Sequence, residues 1–281
     1  METSSVSAFK IAVDFVLLAI PGLIALILNL FVTPFQRNFF CNDLSIMYPY
    51  KPDTITTLQL ALVGVIVSVV FVFIVELIHK FNNSYKYDDD DDKESKILYK
   101  WNISPFIQNL YQYIGLLLFG ISINQFITDG TKFVVGRLRP HFMDVCRPVL
   151  SNGLTCKDLD NWNTYISDYT CTNQDVSDWT LTNARISFPS GHASFSFYCS
   201  FFCAFYIQSR MKFGGSKLLK HFIQLVFVTA ALYTGLSRIT DYKHHPTDVI
   251  AGSILGILIA FVVCFYFSDL FKRKINNVLP R

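Results

Sequence analysis

Apolar residues in this chain are gathered into long runs instead of recurring at the spacing of a half-buried surface helix. Six of the runs reach the ~20 residues that an α-helix needs to cross the hydrocarbon core of a bilayer. They lie near 9–31, 56–78, 105–128, 192–210, 218–236 and 247–269. The first could pass for a secretory signal, but it lacks a small-residue cleavage pattern and five further runs follow, so it reads as a retained span. The pattern predicts an all-α polytopic membrane protein, a six-transmembrane-helix bundle forming one domain over residues 1–281.

Charge then orients the bundle. Arg210, Lys212, Lys217 and Lys220 separate the fourth and fifth runs, and Lys272, Arg273, Lys274 and Arg281 follow the sixth. The connection between the second and third carries Lys80, Lys86, Lys93, Lys96 and Lys100. The positive-inside rule assigns these segments to the cytosol. The opposite face receives 33–55, the long segment 129–191 and the short turn 237–246.

Composition agrees. Only 16% of residues are charged against 52% hydrophobic, and mean hydropathy is +0.36, too apolar for an ordinary soluble domain. A net charge of +3 without a basic stripe argues against a nucleic-acid partner. Five aspartates at 88–92 followed by Lys93 read as a solvated cytosolic loop; they also look like a protease-cleavage tag, and no function is assigned to them. Glu76, near the cytosolic end of the second run, reads as snorkelling to the interface rather than relaying protons. There is no internal repeat, nucleotide-binding glycine loop or zinc-like Cys/His spacing.

Of seven cysteines, Cys41, Cys146, Cys156 and Cys171 fall on the outer face, where an oxidising compartment favours disulfides. Cys156 with Cys171 is the preferred pair, closing a loop in the long outer segment, although spacing alone does not determine pairing. Cys199, Cys203 and Cys264 lie within spans and read as packing residues.

Three outer segments concentrate the unusual residues. In the first, after the third run, Lys132 and Arg139 stand seven apart; continued as helix, both face one way, with Gly136 leaving space between them. Two cations over a gap suit an anion, and an interface anchor is the plainer alternative. In the second, Ser190 is suited to cap the fourth helix, whose N-terminal amides and Gly191 would admit an anion beside His192. In the third, Pro246 suits the first helical position, which makes His245 the cap and Asp248 the third helical residue. Asp248 would then hold one ring nitrogen of His244 and free the other. No outer carboxylate cluster has the spacing of a metal site, so no metal or other cofactor is expected. Lys132, Arg139 and Arg238, a helix N-terminus and two histidines on one side of the membrane are what metal-free phosphoryl transfer requires.

Lys132-x6-Arg139-Pro140, Pro189-Ser190-Gly191-His192 and Ser237-Arg238-x5-His244-x3-Asp248 resemble the three signature motifs of the type-2 phosphatidic acid phosphatase superfamily. The stretches Thr33 to Arg37, Cys41 to Asp43 and Tyr48 to Lys51 further resemble the animal lipid phosphate phosphatases. The resemblance implies hydrolysis of membrane lipid phosphates (phosphatidate, lysophosphatidate, sphingosine 1-phosphate, ceramide 1-phosphate) without magnesium. It also implies roles: His244 as nucleophile forming a phosphohistidine, Asp248 orienting it, and His192 as acid and then base. Lys132, Arg139, Ser190, Gly191 and Arg238 would hold the phosphate. One departure is visible: the long outer segment has no Asn-x-Ser/Thr triplet, and the two in the chain begin at Asn82 and Asn102, on the expected cytosolic side.

A polyisoprenoid diphosphate phosphatase or a lipid phosphotransferase of the same fold is the alternative. A scaffold or transporter without turnover is opposed by the intact histidine and arginine set and the scarcity of mid-span charge. The resemblance suggests the plasma membrane with an extracellular site; an endomembrane with a lumenal site fits the charges equally. The preferred lipid and the oligomeric state, a homo-oligomer included, are not written in these motifs.

Overall fold

The computed structural model describes residues 8–81, 97–98, 101–102, 104–211 and 217–271. The aspartates at 88–92, the Asn82 triplet and most of the basic residues assigned above to the cytosol lie outside the described residues. Eight helices follow one another: α1 (Ala8–Phe31), α2 (Thr57–Phe81), α3 (Pro105–Val135), α4 (Phe142–Cys146), α5 (Asp178–Asn183), α6 (Gly191–Arg210), α7 (Lys217–Thr240) and α8 (Pro246–Val262). A π-helical turn, Val263–Phe267, continues α8. Six of the eight are long and correspond to the six apolar runs. At the end that carries the motifs, α3 and α7 outgrow them: α3 carries Lys132 in its last turn, and α7 carries Arg238 in its last turn.

Five of the six are long and apolar enough to cross a membrane. Leu17, Leu23, Ile66, Val70, Leu225, Tyr233, Ile254 and Leu258 stand on their exposed faces, an apolar exterior that matches lipid rather than water. The exception is α6. Its 20 residues span ~30 Å at 1.5 Å each, as long as a bilayer core is thick, but serines dilute its apolarity. It faces protein instead of lipid, packing on α8, α7, α2 and α3. Its hydroxyls find partners there: Ser194 Oγ lies 3.0 Å from Thr128 Oγ1 and accepts from Asn124 Nδ2 at 3.3 Å.

Gly252 and Gly256 on α8 allow that packing. A Cβ at Gly256 would meet the Tyr198 amide nitrogen at 2.8 Å, and one at Gly252 would run into the Ser190 carbonyl. Glycines four apart bring two backbones together, a spacing the sequence reading passed over. At the far end of the bundle Glu76 does not snorkel. It is fully buried, and its carboxylate takes Arg210 Nε at 2.9 Å and Nη2 at 2.8 Å, Asn109 Nδ2 at 3.2 Å and the Tyr206 hydroxyl. Arg210 sits one helix away in the same layer, so pairing was open to Glu76 without reaching for water.

The segments expected to face outward, 33–55 and 129–191, fold into a cap over the other end. Strand β1 (Phe39–Phe40) pairs with β5 (Tyr165–Ile166), and β4 (Pro148–Leu150) with β6 (Tyr169–Cys171), while β2 (Ile97–Leu98) and β3 (Trp101–Asn102) pair beyond α2. The expected Cys156–Cys171 disulfide is not formed. Pairing of β4 with β6 sets Cys171 beside Cys146, and the first outer segment delivers Cys41 to Cys156, with Cα separations of 4.6 and 5.0 Å. The bonds therefore staple the cap's parts to one another. A second expectation also fails: α3 does not continue to Arg139. Gly136 turns the chain at φ +55°, and its missing Cβ admits the Phe35 carbonyl.

Candidate active site

The ends of α3 and α7 and the starts of α6 and α8 meet beneath the cap. Ser190 caps α6, its Oγ accepting from Ala193 N at 3.4 Å, and its own amide donates to the Asp248 carbonyl at 3.0 Å. His245 caps α8, with Asp248 as the third helical residue, and the His245 amide donates to Asp248 Oδ2 at 3.0 Å.

His244, the residue before that cap, is buried. Its Nδ1 lies 2.7 Å from the Ser187 carbonyl, which can only accept, so Nδ1 carries the hydrogen and Nε2 the lone pair. Asp248 acts one step removed. Its Oδ2 stands 3.8 Å from His244 Nδ1 and accepts from Ser187 Oγ at 2.6 Å. Burial, followed by the guanidiniums of Arg139 and Arg238, holds the His244 pKa well below 6.5 against the opposing pull of Asp248. At neutral pH the ring is neutral and its Nε2 lone pair is unprotonated. His245 turns elsewhere, donating from Nε2 to the Leu138 carbonyl at 3.0 Å, so the adjacent histidines do not act as a pair.

Cations gather beside His244. Lys132 Nζ is 3.2 Å from Asp129 Oδ1, and a Cβ on Gly191 would come within 3.1 Å of that ammonium. Glycine thus lets Lys132 lie over the start of α6, where the helix already favours an anion. Arg139 is buried and donates to Asn183. Burial and the charge of Arg238 push its pKa down to about 10. Among the described residues, the Nε groups of Arg139 and Arg238 are buried without a hydrogen-bond partner. Two neighbouring guanidiniums with unused donors call for an oxyanion between them.

The segment from Tyr48 to Ile55 crosses over this cluster. Asp53 Oδ1 accepts from Arg238 Nη2 at 2.5 Å and lies 4.0 Å from Lys243 Nζ. Burial raises the Asp53 pKa, but the bond and charge of Arg238, with Lys243 and His192, outweigh it and hold the carboxyl below its usual range. The Ile55 carbonyl accepts from Arg238 Nη1 at 3.2 Å and from His192 Nε2 at 3.0 Å, so Nε2 is the protonated nitrogen of His192. Thr54 anchors the segment to Asp241 through its amide at 2.8 Å and its hydroxyl at 2.7 Å.

The structure thus brings Lys132, Arg139, Ser190, Gly191, His192, Arg238, His244 and Asp248 to one end of the bundle. Cys156 and Cys171 stay in the cap, in separate disulfides. Sequence reasoning missed Ser187, Arg137, Lys243 and Asp53. Arg137 lies inside a motif already singled out, Lys243 beside a named histidine, and Asp53 is an acid in an outer segment. Nothing local marked Ser187.

An oxyanion seat next to a histidine with a defined lone pair, at the end of an apolar helix bundle, defines an integral membrane enzyme of phosphoryl chemistry. Comparison with known proteins narrows the class. The chain belongs to the PAP2 superfamily, which matches residues 113–272. It is 38% identical to a putative phosphatidate phosphatase of Drosophila melanogaster, over 97% of this chain and 72% of that one. Identity to phospholipid phosphatase 1 of Mus musculus is 40%, over 93% and 86% of the two chains, and to phospholipid phosphatase 2 of Mus musculus 34%, over 94% and 88%. With relatives so named along nearly its whole length, the enzyme is a phosphatase. No solved structure gives a significant match.

Proposed function

We propose that the chain forms one domain that hydrolyses lipid phosphate monoesters through a phosphohistidine. The observation carrying this reading is the His244 tautomer: Nδ1–H bound to the Ser187 carbonyl leaves the Nε2 lone pair for in-line attack. Lys132, Arg139, Arg238 and the α6 amides at Ser190 and Gly191 hold the phosphate oxygens and offset charge as it redistributes. Nε2 bonds to phosphorus as the ester P–O bond breaks, and His192, charged as imidazolium once the phosphate dianion binds beside it, gives its Nε2 proton to the departing alkoxide and is left neutral. His192 then takes a proton from water, the hydroxide displaces His244, and inorganic phosphate leaves. No step requires a metal ion.

Phosphatidate and lysophosphatidate, sphingosine 1-phosphate and ceramide 1-phosphate share the chemistry this site would take: a wet phosphate head with tails left in the bilayer. The names of the relatives support the first of these. The non-cytosolic orientation rests on two independent arguments, the positive-inside pattern of the connecting segments and the two disulfides at the site's end. By that reading the site is extracellular at a plasma membrane or lumenal in an endomembrane.

The test is phosphate release from phosphatidate and sphingosine 1-phosphate in detergent micelles with excess EDTA, beside His244→Ala. Turnover that survives EDTA and disappears in the variant is expected. Activity abolished by EDTA, or retained by His244→Ala, would overturn the mechanism. A folded wild type inert on both lipids would point to diphosphate or phosphotransfer chemistry.

A further inference from the structure

Gly136 has a consequence for the residue after it. Because the chain turns there, Arg137 leaves the course of α3 and reaches the first turn of α8. Its Nη1 donates to Asp248 Oδ1 at 2.6 Å and to Thr247 Oγ1 at 2.8 Å. Its backbone joins in: the Arg137 carbonyl accepts from the Ser187 amide at 2.8 Å. Ser187 Oγ in turn donates to Asp248 Oδ2 at 2.6 Å, and the Ser187 carbonyl holds His244 Nδ1 at 2.7 Å. These contacts close a ring from Arg137 through Ser187 and Asp248 back to Arg137, and His244 hangs from Ser187, by its carbonyl and by a longer 3.4 Å contact with its Oγ.

Division of labour on the carboxylate makes the ring directional. Asp248 is fully buried, and its two oxygens are spoken for on different sides. Arg137 takes Oδ1; Ser187 Oγ and the His245 amide take Oδ2. His244 Nδ1 lies beyond hydrogen-bond reach of Oδ2 at 3.8 Å, so the carboxylate influences the imidazole through Ser187. The charged groups facing Asp248 are Arg137 and, more distantly, Arg139, with His244 and His245 as titrating neighbours. Arg137 alone gives it a direct ionic bond among the described residues. Without that cation a buried carboxylate would lose its counter-charge, and the hydroxyl of Ser187, whose carbonyl aims the His244 ring, would lose its fixed acceptor.

We propose that Arg137 is a positioning residue for the phosphoryl-transfer step, clamping Asp248 so that Ser187 holds His244 with Nε2 directed at the phosphate. Arg137 touches neither substrate nor the reacting atoms, and it acts through Asp248 and Ser187. The proposal rests on His244 being the nucleophile. Substrate binding stays with Lys132, Arg139 and Arg238, so rate and affinity should separate on substitution.

Full-length wild type, Arg137→Gln, Arg137→Lys, Ser187→Ala and His244→Ala are compared on phosphatidate in micelles. Arg137→Gln lowers kcat at least about tenfold, the scale of one lost charge-assisted bond to a buried group, while KM stays within about twofold. Arg137→Lys recovers part of kcat because it returns the charge to Oδ1. Ser187→Ala keeps the carbonyl, removes the link to Asp248, and also lowers kcat at constant KM; it carries the test if Arg137→Gln does not fold. Wild-type kcat in Arg137→Gln or in folded Ser187→Ala overturns the proposal. So does a rise in KM at unchanged kcat, which would make Arg137 a phosphate ligand. Arg137→Lys no better than Arg137→Gln also overturns it, as that result makes the side chain a spacer. An inactive wild type, or an active His244→Ala, overturns the reading of the site and this proposal with it.

Discussion

Glu76→Gln separates what holds the bundle together from what performs its chemistry. Glu76 lies 19 residues after Thr57, the start of α2, and therefore about 28 Å along the helix from the end that carries the site. Glutamine keeps the volume and one carbonyl oxygen. It also turns an NH2 group toward the Arg210 donors and strips Arg210 of its counter-charge. Removing one partner of a buried pair costs about 3–5 kcal/mol. Arg210 retains 23% side-chain exposure, so the lower end, about 3 kcal/mol, applies. At roughly 2–4 °C per kcal/mol for a chain of this size, the melting midpoint falls by about 6–12 °C. The protein carries its own reporters: Cys199, Cys203 and Cys264 are free and buried in α6 and the π-helical turn after α8, and the other four cysteines are in disulfides. A thiol-reactive dye therefore reads the opening of the core directly. Phosphate release well below the midpoint should equal that of wild type. Glu76→Leu with Arg210→Met should recover most of the lost midpoint, because an apolar pair avoids the desolvation of both charges. A midpoint within about 1 °C of wild type in Glu76→Gln would refute the reasoning, as would lost turnover at an unchanged midpoint.

Three further expectations are simpler to check. Peptide mapping under non-reducing conditions should recover Cys41 linked to Cys156 and Cys146 to Cys171, with no Cys156–Cys171 peptide. Burial, with repulsion from Arg139 and Arg238 that Asp53 offsets in part, holds the Lys243 ammonium down at about 8. Its charge is present below that pH and lost above it, so KM for a lipid phosphate should rise between about pH 7 and 9; in Lys243→Met KM should be high and flat across the range. Gly256→Ala puts a methyl group against backbone at Ser194 and Tyr198, which no rotamer change relieves. It should cost about 1–3 kcal/mol, read as a lower thiol-dye midpoint, and Gly256→Val should give little folded protein.

The bundle was legible because lipid-facing helices must be apolar along a bilayer's thickness, and a run of ~20 such residues is seldom needed for anything else. Even α6 was found as one of the apolar runs, although its serines leave it less apolar than the other five. What failed depended on geometry that no run of sequence encodes. Cysteine pairing was settled by which strands meet. Treating the stretch from Lys132 to Arg139 as helix ignored Gly136, a residue suited to ending one. Glu76 was read from its distance to the membrane surface, when its partner sat on another helix. The motif histidines, cations and carboxylate were visible because their types and spacing are rare together. Ser187 acts largely through its backbone carbonyl, which every residue owns, so its sequence carried no mark.

The polar character of α6 bears on how the protein is made. A helix of this composition gains little from lipid and depends on protein neighbours to shelter its hydroxyls. Its most extensive neighbour, α8, leaves the ribosome after it, and the glycines that seat it belong to α8. His244 and Asp248 arrive with that same later segment. Secure lodging of α6 and assembly of the proposed phosphate-handling end are then one event in biosynthesis, and a chain stopped before α8 is expected to hold no hydrolytic power. Nascent chains stopped before residue 241 should accordingly leave α6 open to added protease, and chains released with α8 in place should protect it.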